Sequence, residues 1–209
     1  MDDNRKGVKD LYNALAGAMA DRWYPEEMLL PLHRRFLALL PDKPRVLDAG
    51  CGAGYESMRL AALGAEVVGV DFSEGSIKIA REKNPGLRFE LMDCTRLDGQ
   101  RLGKFDGIES VGMIIHIEDP ELSLVLGGFR RVVKPGGYLF LVFREGDGLD
   151  EMRSSREYDG EKYDAPFYLH LISRVIEIAR DYGFEYFDEW ALENETMSDD
   201  WKYLIFKYK

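Results

Sequence analysis

The chain has 209 residues, 45% of them hydrophobic, with 11 Phe, 11 Tyr and 3 Trp, which is enough apolar material for one packed domain. A formal net charge of −10 speaks against nucleic acid as a partner, because phosphate recognition needs a basic stripe, and against an anionic membrane surface. No apolar run approaches the roughly 18 residues of a membrane span, the charged N-terminus leads into no signal-peptide core, and two cysteines, Cys51 and Cys94, are too few for a disulfide scaffold or a cysteine-rich zinc module.

A cytoplasmic protein with reduced thiols is therefore expected. Residues 8–40 read as helical: Leu11, Leu15 and Met19 recur at helical spacing, and Pro25 and Pro31 divide the segment into two or three short helices. After a linker at Pro41–Pro44 the pattern changes. Arg45-Val46-Leu47-Asp48-Ala49 is a short strand running into Gly50-Cys51-Gly52-Ala53-Gly54, followed by a helix that stops at Gly64. Glu66–Asp71 is a second strand, and Ser73 suits the N-cap of a helix over Glu74–Lys83. Leu87–Met92 and Phe105–Val111 are further strands. Asp119-Pro120 opens a helix to Val133, and Lys134-Pro135-Gly136-Gly137 leads into the apolar strand Tyr138–Phe143.

Strands alternating with helices of this length predict βαβ units, hence a doubly wound α/β fold with a mostly parallel sheet and helices on both faces. Residues 144–166 break the rhythm. They are polar, mixed in charge and without a clear period, so they read as a mobile lid loop. A helix over 167–182 and two closing strands, Phe184–Trp190 and Trp201–Tyr208, complete the chain. The whole is one domain: a helical cap over 1–43, a core over 44–143, the lid over 144–166, and a helix with a strand pair over 167–209.

The sharpest motif is the turn from Asp48 to Gly54. A strand ends, glycines remove side chains and a helix begins, so that a ligand can lie against bare backbone amides. Dinucleotide enzymes space such glycines as G-x-G-x-x-G; here the spacing is G-x-G-x-G, and Tyr55 stands where the third dinucleotide glycine belongs. Asp48, two residues before the first glycine, disfavours a pyrophosphate and favours a ligand carrying an ammonium group. Asp71, at the end of the second strand, is placed to accept ribose hydroxyls. Asp93, with Cys94 after it, follows the third strand, where a carboxylate can accept an adenine amino group. Asp71 is expected to carry few core contacts, so its removal should leave folding intact.

These motifs together resemble the class I S-adenosylmethionine-dependent methyltransferases. Asp48–Gly54 matches their glycine-rich motif, Asp71 their ribose position and Asp93 their adenine position. Phe105-Asp106-Gly107-Ile108 and Lys134-Pro135-Gly136-Gly137 match their fourth- and fifth-strand motifs. The resemblance covers residues 44–143 and implies a seven-stranded sheet ending in an antiparallel hairpin. It also implies S-adenosyl-L-methionine as cofactor, held by Asp48, Gly50, Cys51, Gly52, Asp71, Phe72, Asp93, Cys94 and Ser110, with Tyr12 of the N-terminal segment facing its methionine end. More narrowly, Ile114-Ile115-His116-Ile117 and Phe143-Arg144-Glu145-Gly146 resemble small bacterial methyltransferases without an assigned substrate. The Trp usual after their Asp-Gly-Ile is Glu109 here.

His116, after the fourth strand at the carboxyl edge of the sheet, is the candidate general base; His33 and His170 read as structural. Arg153, Arg156 and Tyr158 are candidates for binding an anionic group of the acceptor. No metal site is expected, and the sequence leaves the oligomeric state open. The reaction expected is in-line methyl transfer to a small molecule; a tRNA or protein acceptor, or cofactor binding without turnover, are the alternatives.

Overall fold

The computed structural model describes residues 3–146, 151–158, 160–192 and 201–209. The main sheet has seven strands: β1 (Arg45–Ala49), β2 (Glu66–Asp71), β3 (Arg88–Leu91), β4 (Phe105–Val111), β5 (Val133–Arg144), β8 (Phe184–Trp190) and β9 (Trp201–Tyr208). They lie in the order β3-β2-β1-β4-β5-β9-β8; the first five are parallel and β9 runs antiparallel to both its neighbours. Among the described residues seven α-helices accompany them: α1 (Asp3–Trp23), α2 (Leu30–Ala38), α3 (Tyr55–Ala62), α4 (Glu74–Lys83), α5 (Gly99–Leu102), α6 (Asp119–Val132) and α7 (Ile172–Asp181). No helix among the described residues is long and apolar enough to cross a membrane.

Strand parity sorts the side chains into two apolar layers, because successive residues point to opposite faces. Leu47, Ile108, Leu139 and Leu141 pack against Leu122, Val125 and Phe129 of α6 and Val175 and Ile178 of α7. Val46, Phe140 and Val142 pack on the other face against Leu32 and Phe36 of α2 and Leu60 of α3. Asp48 shares parity with Val46, and its register partner on β4 is Glu109. Two carboxylates thus enter the layer beneath α2 and α3.

The doubly wound, mostly parallel sheet with its C-terminal hairpin is the fold the sequence predicts. Pro31 stands in the first turn of α2, Gly64 follows α3 with φ +102°, and the Ser73 hydroxyl accepts from the Ser76 amide at 3.0 Å as the cap of α4. The acidic connection 193–200 lies outside the described residues.

Residues 144–166 depart from expectation. In place of a loop, β6 (Glu151–Tyr158) pairs antiparallel with β7 (Glu161–Tyr168) as a separate two-stranded ribbon. The backbone ladder supplies the order that a polar segment cannot draw from burial. β7 is also packed: Ala165 is buried against Val8, Leu11 and Leu15 of α1. It extends to Tyr168, so α7 begins at Ile172 and not at 167. Side chains of 151–158, including Arg153, Arg156 and Tyr158, lie outside what is described.

Candidate active site

In a doubly wound sheet, ligands bind beyond the carboxyl ends of the strands where the strand order reverses. Here that point lies between β1 and β4. The glycine loop leaves β1 and the segment Gly112–Ile117 leaves β4, and between them opens a cavity of about 710 Å3, counting space open to solvent. Gly50, Gly52, Asp71, Phe72, Asp93 and Cys94 line it, and Tyr12 and His116 close its far side. Eight of the predicted site residues are thereby brought together.

Gly50 and Gly52 have φ of +81° and +51°, conformations that side chains resist. Their amides are not bare. Gly50 and Cys51 donate to the Val70 carbonyl at 2.8 and 3.0 Å, and Gly52 donates to Asp71 Oδ2 at 2.9 Å. The loop thus offers a ligand the flat surface of its glycines, with the amides spent on fixing its shape. A Cβ on Gly50 would lie 2.5 Å from Met113 Cβ. Gly50→Ala is therefore expected to cost about 2–4 kcal/mol, from left-handed strain together with overpacking. Urea denaturation checks this, and an unmoved midpoint would mean that the loop tolerates a side chain.

Asp71 is more tightly held than a residue at an open cleft. Oδ1 accepts from the Ser73 amide at 2.8 Å while Oδ2 holds Gly52, so this carboxylate ties the glycine loop to the start of α4. Burial pushes its carboxyl up against those hydrogen bonds. The expectation that its loss would spare folding is corrected by these contacts.

Asp93 has two kinds of partner. Oδ1 accepts from the Thr95 amide at 2.9 Å, capping a 3-10 turn at Cys94–Arg96, and Oδ2 meets Arg5 Nη2 at 2.5 Å. Burial raises this carboxyl, but the hydrogen bonds from Arg5 and Thr95 outweigh it and hold it below its ordinary value. Arg5 also pairs with Glu121 at 3.3 Å. Sequence reading missed Arg5 because nothing local connects it with Asp93, 88 residues away.

Three predicted residues have their side chains elsewhere. Asp48 is buried in the α2–α3 layer, accepting from the Ser57 hydroxyl at 2.6 Å. Burial, and then the charge of Glu109, push its carboxyl well above the ordinary range. Cys51 packs against Ile77, Ala80 and Phe89. The Ser110 hydroxyl donates to the Ala49 carbonyl at 3.0 Å, joining β4 to β1. The other two matched motifs are scaffold: Lys134 Nζ donates to Asp106 at 2.7 Å, and Asp106 accepts the Arg45 amide at 2.9 Å, at the opposite end of the sheet. Cys51 and Cys94 are both free thiols.

His116 is oriented from both sides. Its Nδ1–H donates to the Pro166 carbonyl of β7 at 3.2 Å; in the neutral ring this leaves Nε2 as acceptor, 2.9 Å from the Tyr12 hydroxyl. Phe167 packs against the ring with centroids 4.7 Å apart. His170 is buried, with Nδ1 2.9 Å from Asp119 and Nε2 2.9 Å from the Ile114 carbonyl. Helix α1 spans the cavity through further ties: Asn13 Oδ1 accepts from the Ser73 hydroxyl and the Gly75 amide at 2.8 and 2.9 Å, and Lys9 pairs with Glu74 at 2.6 Å.

A second cavity, of about 900 Å3 with the same reckoning, adjoins the first. Both are lined by Tyr12, Tyr55, Val111 and Gly112. The second is otherwise mostly apolar, with Met19, Trp23, Met28, Ile115, Phe167 and Trp201 among its walls.

A family model described as a methyltransferase domain matches residues 46–137. In those residues the chain is similar to methyltransferase domains, as the motifs at Asp48–Gly54, Asp71 and Asp93 lead one to expect. The ubiquinone biosynthesis O-methyltransferases of Bordetella avium and Thiobacillus denitrificans are 34% and 35% identical over 137 and 136 residues, which are 59% and 58% of this chain. The match spans just over half of those relatives' own length, 56% and 57%. Among solved structures, the PH0226 protein of Pyrococcus horikoshii OT3 superposes with a TM-score of 0.71 at 26% identity, covering 88% of this chain and 89% of that one. The magnesium protoporphyrin IX methyltransferase of Synechocystis PCC 6803, solved with bound SAM, has a TM-score of 0.75 at 20% identity, covering 100% and 99%, a likeness of fold.

Proposed function

We propose that this methyltransferase domain binds S-adenosyl-L-methionine in the first cavity and methylates a hydroxyl of a small, apolar, ring-bearing acceptor held in the second. The carrying observation is the shared wall: two cavities of different character meet at Tyr12, Tyr55, Val111 and Gly112, beside His116. When bound, the cofactor supplies an electrophilic sulfonium methyl group.

The residues present suit it. Gly50 and Gly52 leave the loop flat, Asp71 and Phe72 border the space for the ribose, and Asp93 and Cys94 the space for the adenine. His116 Nε2 would take up the acceptor's hydroxyl proton, and Tyr12 holds the ring beforehand. Most of the rate comes from alignment and exclusion of water, so the base adds to a reaction already favoured by geometry. Met19, Trp23, Phe167 and Trp201 suit an apolar ring. The names of the curated relatives support oxygen as the methylated atom. The formal charge supports a small-molecule acceptor over tRNA, and a cytoplasmic location fits this reading.

Calorimetry is expected to show binding of S-adenosylhomocysteine and none of NAD. Tight NAD binding without S-adenosylhomocysteine binding would overturn the assignment. With radiolabelled methyl donor, phenolic acceptors are expected to be labelled and bulk tRNA not.

A further inference from the structure

Glu109 stands where the resembled subgroup has an apolar ring, and it is wholly buried. It does not stand alone. His33 of α2 is equally buried, Glu56 of α3 nearly so, and one ligand atom of each of the three residues lies within 4.8 Å of the other two. His33 Nε2 is 3.2 Å from Glu109 Oε2 and 3.5 Å from Glu56 Oε2. Yet both ring nitrogens of His33 and both carboxylate oxygens of Glu109 lack a hydrogen-bond partner of acceptable direction, while Glu56 Oε2 is held in an ion pair by Arg59 Nη1 at 2.9 Å. Such groups are costly to bury unsatisfied.

From this cluster we infer a divalent transition-metal site, built by His33, Glu56 and Glu109 and suited to an ion such as Zn2+. Three arguments converge on it. Tetrahedral zinc with bonds of about 2.0–2.1 Å holds its ligand atoms about 3.3 Å apart, close to the two separations found here. A metal ion draws ligand atoms towards one centre without requiring the N–H···O direction that is missing. The carboxylates gathered here also suit it: Glu56 and Glu109 both face His33, and Asp48 lies near enough to feel the charge of each. A divalent ion at this point would neutralise carboxylate charge within an apolar layer.

The ligand set, one imidazole and two carboxylates, belongs to the nitrogen–oxygen class that zinc, iron and nickel accept. Glu56 also lines the second cavity, which gives the ion a route in and leaves a position for water. The site joins α2, α3 and β4 directly behind the acceptor wall. Its role is to hold the helical cap onto the sheet; it lies outside the reacting centre, and the proposal does not depend on which acceptor is methylated.

The test uses the whole chain, stripped with a chelator and titrated with Zn2+ alone. One equivalent is expected to bind and to raise Tm by roughly 5–10 °C at a hundredfold excess over Kd. Glu109→Gln, close to isosteric, is expected to abolish both effects, and His116→Ala to leave both in place. Because Glu109→Gln could fail to fold, Co2+ is added to the unaltered protein as a second measurement, where d–d absorption bands of a low-coordinate nitrogen–oxygen site are expected. Absence of Zn2+-dependent stabilisation, absence of those bands, or binding unchanged by Glu109→Gln would each overturn the site and identify the cluster as an ion-pair network. S-adenosylhomocysteine binding, measured in parallel, fails or succeeds independently.

Discussion

Replacing His116 by Ala is expected to lower kcat about 10²–10⁴-fold, the usual worth of a positioned general base. The geometry behind this is the two-sided hold on the ring: the Pro166 carbonyl fixes the proton on Nδ1, and Nε2 is left facing the Tyr12 hydroxyl at the junction of the two cavities. Affinity for S-adenosylhomocysteine should change much less, because the ring borders the cavity at its far side. Tyr12→Phe separates positioning from catalysis. It removes the hydroxyl that orients Nε2 and keeps the ring that packs edge-on at 5.2 Å, so a fall of about tenfold or less is expected. Steady-state kinetics with any labelled acceptor decides the matter. If His116→Ala keeps kcat within a factor of about three, proton removal is not limiting and alignment alone accounts for the rate.

Asp71→Ala is expected to weaken cofactor binding by about 1.5–3 kcal/mol through loss of a charged acceptor. It should also lower stability, by about 1–3 kcal/mol, because the amides of Gly52 and Ser73 both lose their partner. Calorimetry measures the first effect and urea denaturation the second. Asp71→Asn keeps one oxygen and should fall between. An unchanged dissociation constant for S-adenosylhomocysteine would place the ribose elsewhere. An unchanged denaturation midpoint would mean that the glycine loop keeps its shape without this tie.

The parts of the site legible in the sequence are those whose signal is local. The glycine spacing after β1, the acidic ends of β2 and β3, and Ser73 as a cap all announce themselves within a few residues. Asp48 was legible as a motif residue but not in its orientation. Both faces of the central strands are buried, so apolar residues occupy both parities and alternation says nothing about which face a carboxylate joins. The hairpin at 151–168 went unread because its order comes from a backbone ladder and from α1, not from an apolar period. Arg5 with Asp93, and His33 with Glu56 and Glu109, are pairings made only by folding.

The walls of the two cavities come from different stretches of chain. Except for Arg5, Val8 and Tyr12, the first is drawn from residues 50–117, inside the segment that the family model matches. Much of the second comes from outside it: Met19, Trp23 and Met28 before, Val142, Phe167 and Trp201 after. If the second cavity holds the acceptor as proposed, substitutions at these flanking positions would reshape it while the glycine loop and its carboxylates stay as they are. A new acceptor could be reached in small steps, each leaving cofactor affinity intact, and the residues to randomise in a selection for altered acceptor range are those flanking positions.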